Sequence, residues 1–218
     1  LYAEGTGSLL LVLQGQDASG KDGVIRSVFA AVSPQGCRVI PFRAPHAGEL
    51  AHDYLWRVHA QVPARGELAI FNRSHYEDVV AVRVRELAPE DVWRRRTGHI
   101  REWERMLTDE GTTIVKVFLH VSKDEQRKRL QERIDDPEKR WKFMLEDLEA
   151  RDRFDQYVAA YEDALTETSS EWAPWHVVPA DHNWLKSYVV ARLLVDALER
   201  MDPQLPPTAP GSEGLIVP

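Results

Sequence analysis

The chain has 218 residues, of which 43% are apolar and 29% charged, and its formal net charge is −7 at pH 7. It is long enough to bury a real core, and no apolar run approaches the ~18–20 residues needed to cross a bilayer. The single cysteine, Cys37, excludes an internal disulfide framework and a zinc site built on cysteines.

A reducing cytoplasm is the default compartment, since one cysteine and no signal-peptide pattern give no sign of export. The chain opens on Leu1 and enters an apolar run almost at once, so we expect a trimmed chain that lacks an N-terminal segment. Because the total charge is negative, any site for a polyanion must gather its positive charge locally. We therefore expect no nucleic-acid partner and no membrane partner.

Five apolar, strand-like runs alternate with longer segments of helical spacing. The strand-like runs are residues 9–13, 38–42, 68–71, 114–119 and 176–178. The helical segments are residues 24–32, 49–59, 89–110, 123–133, 142–165 and 184–201. The alternation predicts an α/β protein, with a parallel sheet sandwiched by helices on both faces. The first, second and fourth runs are apolar nearly throughout, which predicts strands buried on both faces.

Residues 1–202 are predicted to form a single domain. After Met201 the composition changes, with five prolines between Pro203 and Pro218. This change predicts that residues 203–218 form an extended or disordered Pro-rich tail.

The first strand-like run leads into a phosphate-loop pattern, GQDASGKDG. The spacing Gly-x4-Gly-Lys matches the P-loop up to its last position, where Asp22 replaces the usual Ser or Thr. The glycines let successive backbone N–H groups point inward, the helix N-terminus adds partial positive charge, and Lys21 adds a full charge. The alternative is an ordinary strand–helix turn with a solvated lysine. The phosphate-binding residues predicted here are Gly15, Ser19, Gly20, Lys21, Asp22 and Gly23.

Two carboxylates in this loop would repel a bound polyphosphate unless a cation intervenes. Magnesium takes one or two carboxylates together with phosphate oxygens and water, so Asp17 and Asp22 are candidates for metal or substrate contact. The simpler explanation for Asp22 is a favourable interaction with the first turn of the helix.

A second candidate loop, IFNRSHYEDV, follows the third strand-like run. Ligands of open parallel sheets gather beyond the carboxyl ends of the strands, which is where Asn72, Arg73 and Glu77 fall. Arg73 could hold a phosphate with two parallel hydrogen bonds, and Asn72 and Glu77 could hold magnesium. A structural salt bridge is the alternative for Arg73. Arg43, just past the second run, is a candidate contact for an acceptor phosphate.

The stretch KDEQRKRLQERIDDPEKRWKF, residues 123–143, is rich in basic residues. Arg129 and Arg133 are one helical turn apart, and Asp135-Asp136-Pro137 breaks the helix. A helix, a break and a second basic turn suggest a lid over residues 122–150 that closes over phosphates. Six interleaved acidic residues also fit a salt-bridged, solvated surface.

Taken together, GQDASGKDG, FNRSHYED, DPEKRWKF and EWAPWHVVPAD resemble polyphosphate kinase family 2, from Leu9 to about Leu198. The resemblance implies a thymidylate-kinase-like P-loop fold with a helical lid, and Mg²⁺-dependent transfer of a phosphate between inorganic polyphosphate and a nucleotide. It assigns catalysis and metal binding to Asp17. It assigns phosphate contacts to Lys21, Arg73 and Arg133, and a polyphosphate track to Lys139, Arg140 and Lys142. Arg129, on the same helix face as Arg133, is a further candidate for polyphosphate binding.

One departure from the family pattern concerns acceptor choice. Many members have Asp where this chain has Asn72, and the combination of Asn72 with Glu77 resembles the class III subgroup, which accepts nucleoside mono- and diphosphates. The expected partners are polyphosphate and adenine nucleotides, with guanine nucleotides left open, and a homodimer or homotetramer. Asp53 and Arg57, after the second strand, are the remaining candidate nucleotide contacts.

Two other functions compete with this interpretation. An ATP-dependent nucleoside or nucleotide kinase would share the fold, but such enzymes favour Gly-Lys-Ser/Thr over the Gly-Lys-Asp-Gly found here. A non-catalytic polyphosphate- or nucleotide-binding module is the other alternative, if Asn72 in place of a carboxylate prevents the chain from binding metal.

Overall fold

The computed structural model describes residues 1–212 and 214 of the chain. Five parallel strands form one sheet in the order β2-β3-β1-β4-β5. The strands are β1 (Ser8–Gln14), β2 (Cys37–Pro41), β3 (Leu68–Asn72), β4 (Thr112–His120) and β5 (Trp175–Pro179). The α-helices are α1 (Lys21–Val28), α2 (Ala47–Leu50), α3 (Trp56–His59), α4 (Val80–Val84), α5 (Glu90–Asp109), α6 (Lys123–Asp135), α7 (Glu146–Asp152), α8 (Phe154–Thr168) and α9 (Asn183–Met201).

The predicted α/β fold class is confirmed, because helices cover both faces of the parallel sheet. Alternate residues of β1 serve the two faces, as strand geometry requires. Leu10 and Val12 pack towards α5 and α8, whereas Leu9, Leu11 and Leu13 pack towards α1 and α9. Burial of the two apolar sets in opposite directions fixes the central strand and the loop that follows it.

The second strand differs from the prediction. β2 is an edge strand with half-buried and exposed positions, whereas β1 is buried throughout and β4 nearly so. The apolar run alone could not show this, because edge position depends on the order in which strands pair. The run nevertheless forms the predicted strand.

Two predicted helices are divided in the structure. Segment 49–59 contains α2 and α3, separated where the Asp53 side chain accepts the amides of Leu55 and Trp56 and starts a new turn. Such Asp capping competes with a continuous helix. Segment 142–165 begins at the last residue of a short 3₁₀ turn, Arg140–Lys142, and is otherwise divided between α7 and most of α8.

The C-terminal segment leaves the domain after α9. Asp202 adopts a left-handed conformation that ends the helix, and residues 202–212 form no helix or strand. Part of the predicted tail, residues 213 and 215–218, lies outside the described residues. Across residues 1–212 and 214, no helix combines the length and apolar character needed to cross a membrane.

Candidate active site

The loop between β1 and α1 lies at the centre of the carboxyl edge of the sheet, between β3 and β4. Two glycines have steric reasons to be there. Gly15 has φ +150, and a Cβ on it would lie 2.7 Å from the Leu119 carbonyl oxygen. Gly20 has φ +95, and its Cβ would lie 2.0 Å from the Lys186 ammonium. By contrast, a Cβ on Gly23 would meet nothing within 4 Å.

Lys21 opens α1 and folds back over the loop. Its ammonium donates to the carbonyl oxygens of Gly15 at 2.6 Å and Gln16 at 3.2 Å, and Ser19 Oγ lies 3.5 Å away. Burial, with the nearby charge of Arg73, lowers the pKa of Lys21 to about 8. The first amides of α1 have no partner within the helix, so a phosphate here would meet both the amides and the ammonium.

Two cations from helices distant in sequence donate hydrogen bonds to backbone carbonyls of the loop. All five N–H groups of Arg129 in α6 are engaged: they reach Glu125 and the carbonyl oxygens of four residues. The four carbonyls are those of Ala18, Ser19, Ala180 and Asp181. Lys186 in α9 is buried and donates to Ser19 O at 3.0 Å. Burial, with the charge of Arg129, lowers the pKa of Lys186 to about 8.

This placement bears on the prediction that Arg129 binds polyphosphate. Its guanidinium is largely buried and has no unused donor, so the geometry makes it a support of the loop and gives no basis for direct phosphate contact. Gln126, one turn earlier in α6, also donates to the carbonyl of Asp17 at 3.1 Å. The first half of the predicted lid is therefore fastened to the loop.

Asp17 and Arg73 form a close ion pair at 2.5 Å, joining the loop to the end of β3. Burial acts to raise the pKa of Asp17, but the charges of Arg73, Lys21 and Arg133 outweigh it and hold the pKa below its usual value. Arg73 has φ 62, an uncommon conformation for a residue with a side chain. Such strain costs about 1–3 kcal/mol and often marks a functional position.

Glu77, in the 3₁₀ turn His75–Asp78, is the second carboxylate at this centre. Burial raises its pKa, although the charges of Arg73 and Lys21 oppose that shift. Burial also disfavours the charged form of Arg73, but the negative charges of Glu77 and Asp17 outweigh burial and raise the pKa of the guanidinium. The structure thus brings two cations and two carboxylates together at the loop.

Asn72 and Asp22 form a pair across the carboxyl edge. The Asn72 amide nitrogen donates to the Asp22 carboxylate at 2.9 Å. A donor at residue 72 therefore complements the carboxylate that replaces the usual Ser or Thr. An Asp at residue 72 would instead place two carboxylates side by side.

Arg133 is the predicted lid residue whose charge acts on Asp17 and helps to lower the pKa of that carboxyl. The Arg133 guanidinium lies 3.7 Å from the buried carboxylate of Asp147 in α7. Burial raises the pKa of Asp147, with the charge of Asp17 acting in the same direction.

The three residues of the predicted polyphosphate track are exposed. Lys139 pairs with Asp136 at 2.7 Å, Arg140 donates to the Ile134 carbonyl, and Lys142 lies over the Trp141 ring. In the described part of the chain, none of the three makes a hydrogen bond or ion pair with the loop. Their predicted contact with polyphosphate therefore requires a ligand or a movement of the lid.

The predicted nucleotide contacts after β2 are mostly engaged elsewhere. Arg57 is buried, donates to the Arg43 carbonyl at 2.8 Å and lies 3.6 Å from Asp78. Asp53 caps the start of α3. Only Arg43 is exposed with no side-chain partner among the described residues. These contacts give no support to an acceptor site built on Asp53 and Arg57.

Lys186 is the main residue of the site that the sequence argument missed. It did carry a signal, since Lys186 lies on the same face of α9 as the buried residues Val190, Leu194 and Ala197. A lysine on an otherwise apolar helix face needs a buried partner. The loop carbonyl is that partner.

The family model for polyphosphate kinase 2 matches residues 1–206 of this chain. An AMP/ADP-polyphosphate phosphotransferase of Meiothermus ruber is 59% identical over 217 residues, covering 100% of this chain and 81% of the relative. An ADP-polyphosphate phosphotransferase of Rhodopseudomonas palustris is 46% identical, covering 96% of this chain and 77% of the relative.

Solved structures agree with the sequence relatives. The crystal structure of polyphosphate kinase 2 from Arthrobacter aurescens TC1 has a TM-score of 0.93 at 46% identity, covering 95% of this chain and 75% of that one. Deoxyadenosine kinase from M. mycoides has a TM-score of 0.51 at 14% identity, covering 85% of this chain and 98% of that one. The second match shows a shared P-loop kinase fold and nothing more.

Proposed function

Since this chain belongs to the polyphosphate kinase 2 family, we propose that it transfers the terminal phosphate of inorganic polyphosphate to AMP and ADP, reversibly. The observation that carries the proposal is the convergence of Asp17, Lys21, Arg73 and Glu77 at a strand–loop–helix phosphate site. Phosphoryl transfer depends mainly on positioning and charge neutralisation, and this cluster offers both.

The loop and Lys21 grip the phosphates at the point of transfer. The amides that open α1 face a bound phosphate, while Lys21 exchanges a carbonyl contact for a phosphate oxygen. Arg73 offsets the charge that spreads over the moving phosphoryl group. Arg133 adds a second guanidinium from the lid side.

Asp17 orients the acceptor phosphate. An acceptor phosphate is already ionised, so the reaction needs no strong base. The lowered pKa of Asp17 keeps its carboxylate charged at neutral pH. A charged Asp17 can hold Arg73 in its left-handed conformation and contact a cation.

The donor set fits magnesium bound together with phosphate. In the described residues, no three His, Cys, Asp or Glu side chains converge on one point, so no closed protein cage exists. Magnesium characteristically uses one or two carboxylates plus substrate phosphate oxygens. Asp17 and Glu77 would hold it, and it would neutralise phosphate charge. Asn72 is a weaker candidate, because a neutral amide oxygen binds magnesium less strongly than a carboxylate does.

The acceptor range is the finer part of the proposal. The relative at 59% identity is named for AMP and ADP, whereas the relative at 46% is named for ADP alone. The presence of both Asn72 and Glu77 in this chain, a combination that resembles the class III subgroup, favours use of both acceptors. A cytoplasmic homodimer or homotetramer, and a lid over residues 122–150 inside a single domain of residues 1–202, stay predictions.

The experiment supplies magnesium and long-chain polyphosphate with either AMP or ADP, and resolves the nucleotides by chromatography. ATP from both acceptors is the expected result. ATP from ADP alone, or only ADP from AMP, would remove the dual-acceptor proposal. Transfer from ATP to a nucleoside, with no product from polyphosphate, would favour the nucleoside kinase alternative. Binding without any turnover would favour the non-catalytic module.

A further inference from the structure

A second basic cluster lies beside the loop, where α4 ends and α8 begins. Arg85 follows the last residue of α4, Arg153 directly precedes α8, and Tyr157 lies one turn into α8. Neither arginine belongs to the loop or to the basic stretch of the lid. The proposed transfer mechanism leaves both unused.

Each arginine is anchored through a single nitrogen. Arg153 Nη1 donates to the Val84 carbonyl at 2.7 Å, and Arg85 Nε donates to the Tyr157 hydroxyl at 3.3 Å. Both arginines are exposed. Within the part of the chain that the structure describes, neither guanidinium has a carboxylate within 4.0 Å. The anchors hold two guanidinium groups in place while leaving most of their N–H donors free.

The cluster adjoins the transfer point because α8 is fastened to the loop. Gln16 donates to the Phe154 carbonyl at 3.3 Å, and the Tyr161 hydroxyl lies 3.3 Å from the Gln14 side chain. Gln16 directly precedes Asp17, and Gln14 is the last residue of β1. The hydrogen bond that Arg85 donates to Tyr157 raises the pKa of Arg85, and the charges of Asp17 and Arg73 also act on that pKa. Two independent contacts therefore place this arginine pair at the edge of the active centre.

We infer that Arg85 and Arg153 form a second phosphate-binding subsite beside the Asp17–Arg73 pair. Two nearby cations without carboxylate partners repel each other unless an anion lies between them. Guanidinium groups match phosphate oxygens with paired hydrogen bonds. This inference rests on the proposed function, in which a donor chain and an acceptor nucleotide both bring phosphates to one centre. Because Arg57 is engaged by Asp78, Arg43 is the one cation among the predicted acceptor contacts that has no side-chain partner in the described residues, and Arg85 and Arg153 would add two more cations.

The test measures binding without turnover. Titration calorimetry with AMP alone and with tripolyphosphate alone compares wild type, Arg85→Met, Arg153→Met and the double variant. Arg95→Met is the matched control, since Arg95 is an exposed arginine on α5. Arg85→Lys keeps the charge and loses the planar fork, so it should recover part of the affinity.

We expect each Met substitution to weaken the affinity for one of the two ligands by about tenfold, and the double substitution to weaken it further. The melting temperature should stay unchanged. Weaker AMP binding alone identifies the subsite with the acceptor, and weaker tripolyphosphate binding alone identifies it with the polymer. Unchanged binding of both ligands in the double variant overturns the inference.

The same variants separate this inference from the proposed function. If wild type makes ATP from polyphosphate while the double variant binds both ligands normally, the function stands and the subsite is wrong. If the variants lose affinity but wild type transfers no phosphate, the subsite stands and the function is wrong. A wild type that binds neither ligand contradicts both.

Discussion

Basic residues have different roles on the carbonyl side of the phosphate loop and on the outer surface of the lid. Arg129 is largely buried, and its five N–H groups all have partners. Arg140, eleven residues later, is exposed and uses one nitrogen. A buried cation must have its donors satisfied, and the satisfied donors fix the groups that they contact. An exposed cation keeps its donors for a ligand.

This difference divides the basic residues of the chain into supports and contacts. Arg129 and Lys186 hold the carbonyls of the loop, so that its amides stay directed at the phosphate position. Lys139 and Lys142 have neither burial nor a loop partner and can follow a flexible polymer. The chain can bind a polyanionic substrate despite its negative net charge, because both groups of basic residues are concentrated around the phosphate loop and on the lid.

The largest effect that tests the comparison is expected from Arg129→Met. The change removes a donor from four backbone carbonyls, and those of Ala18 and Asp181 lose the side-chain donor that Arg129 gave them, whereas Ser19 and Ala180 keep Lys186. The loss should lower the free energy of unfolding by about 1–3 kcal/mol. Because the loop loses its support, kcat/KM should also fall at least about tenfold with short and long polyphosphate alike. Denaturant unfolding and steady-state kinetics measure the two effects.

Two further variants sharpen that result. Lys186→Met should lower kcat/KM in the same way, independent of polymer length. Lys128→Met is the control, because Lys128 is an exposed residue of the same helix, and it should change neither quantity. A loss in Arg129→Met that depends on polymer length would mean that Arg129 contacts the polymer directly.

The next effect concerns pH. Lys21 must be charged to offset phosphate, and its pKa is about 8 in the ligand-free protein. We expect kcat/KM, which reflects the free enzyme, to fall as pH rises through about 8. Bound phosphate favours the charged lysine, so kcat should fall only at higher pH. A kcat/KM that stays flat up to about pH 10 would contradict this role of Lys21.

The free energy of unfolding should change with pH in the direction opposite to kcat/KM. The pKa of Lys21 is lowered from its ordinary value of 10.5 to about 8 on folding, and Lys186 shows the same shift. Between these values the unfolded chain binds more protons than the folded chain, so these two groups add stability as pH rises from about 8 to 10.5. Lys186→Met should reduce this dependence in urea unfolding.

A smaller effect is expected when the exposed lid residues Lys139, Arg140 and Lys142 are all changed to Gln. Their surface contacts contribute little, so stability should change by less than about 1 kcal/mol. The KM for long-chain polyphosphate should rise several-fold at low salt, and the difference should shrink as salt increases. If KM for tripolyphosphate rises equally, the three residues do not form an extended track.

The smallest effect is expected from Asn72→Asp. The change replaces a donor to Asp22 with a second carboxylate at hydrogen-bond distance, and the two charges then favour a cation between them. We expect a stronger dependence of rate on magnesium concentration and an altered ratio of AMP to ADP use. An unchanged acceptor ratio would weaken the argument that residue 72 sets acceptor range.

All five strands could be predicted from the sequence, because each coincides with an apolar run, including the less buried edge strands β2 and β5. α4 could not, since its sequence VAVRV resembles a strand, and yet these five residues are helical where they pack against α8. The phosphate loop was also predictable, because nine consecutive residues carry the pattern. Its support by Lys186 joins residues 167 positions apart, and no local pattern specifies such a contact.

The same limit applies to the lid and the acceptor side. Basic composition located the segment that contains Arg129 and Arg133, but composition does not reveal which cation is buried. Arg57 and Asp53 follow a strand at the ligand edge, and yet tertiary contacts and helix capping engage both. Position beyond a strand therefore does not by itself identify a ligand contact.

The central claim is that this loop moves phosphate from polyphosphate to a nucleotide. The most direct test measures ATP formation from ADP, magnesium and long-chain polyphosphate with wild type and Lys21→Ala at matched folded concentration. We predict ATP formation by wild type and a rate at least ~10²-fold lower in Lys21→Ala, with the fold retained. Near-normal turnover by a folded Lys21→Ala, or no ATP from wild type, would contradict the claim.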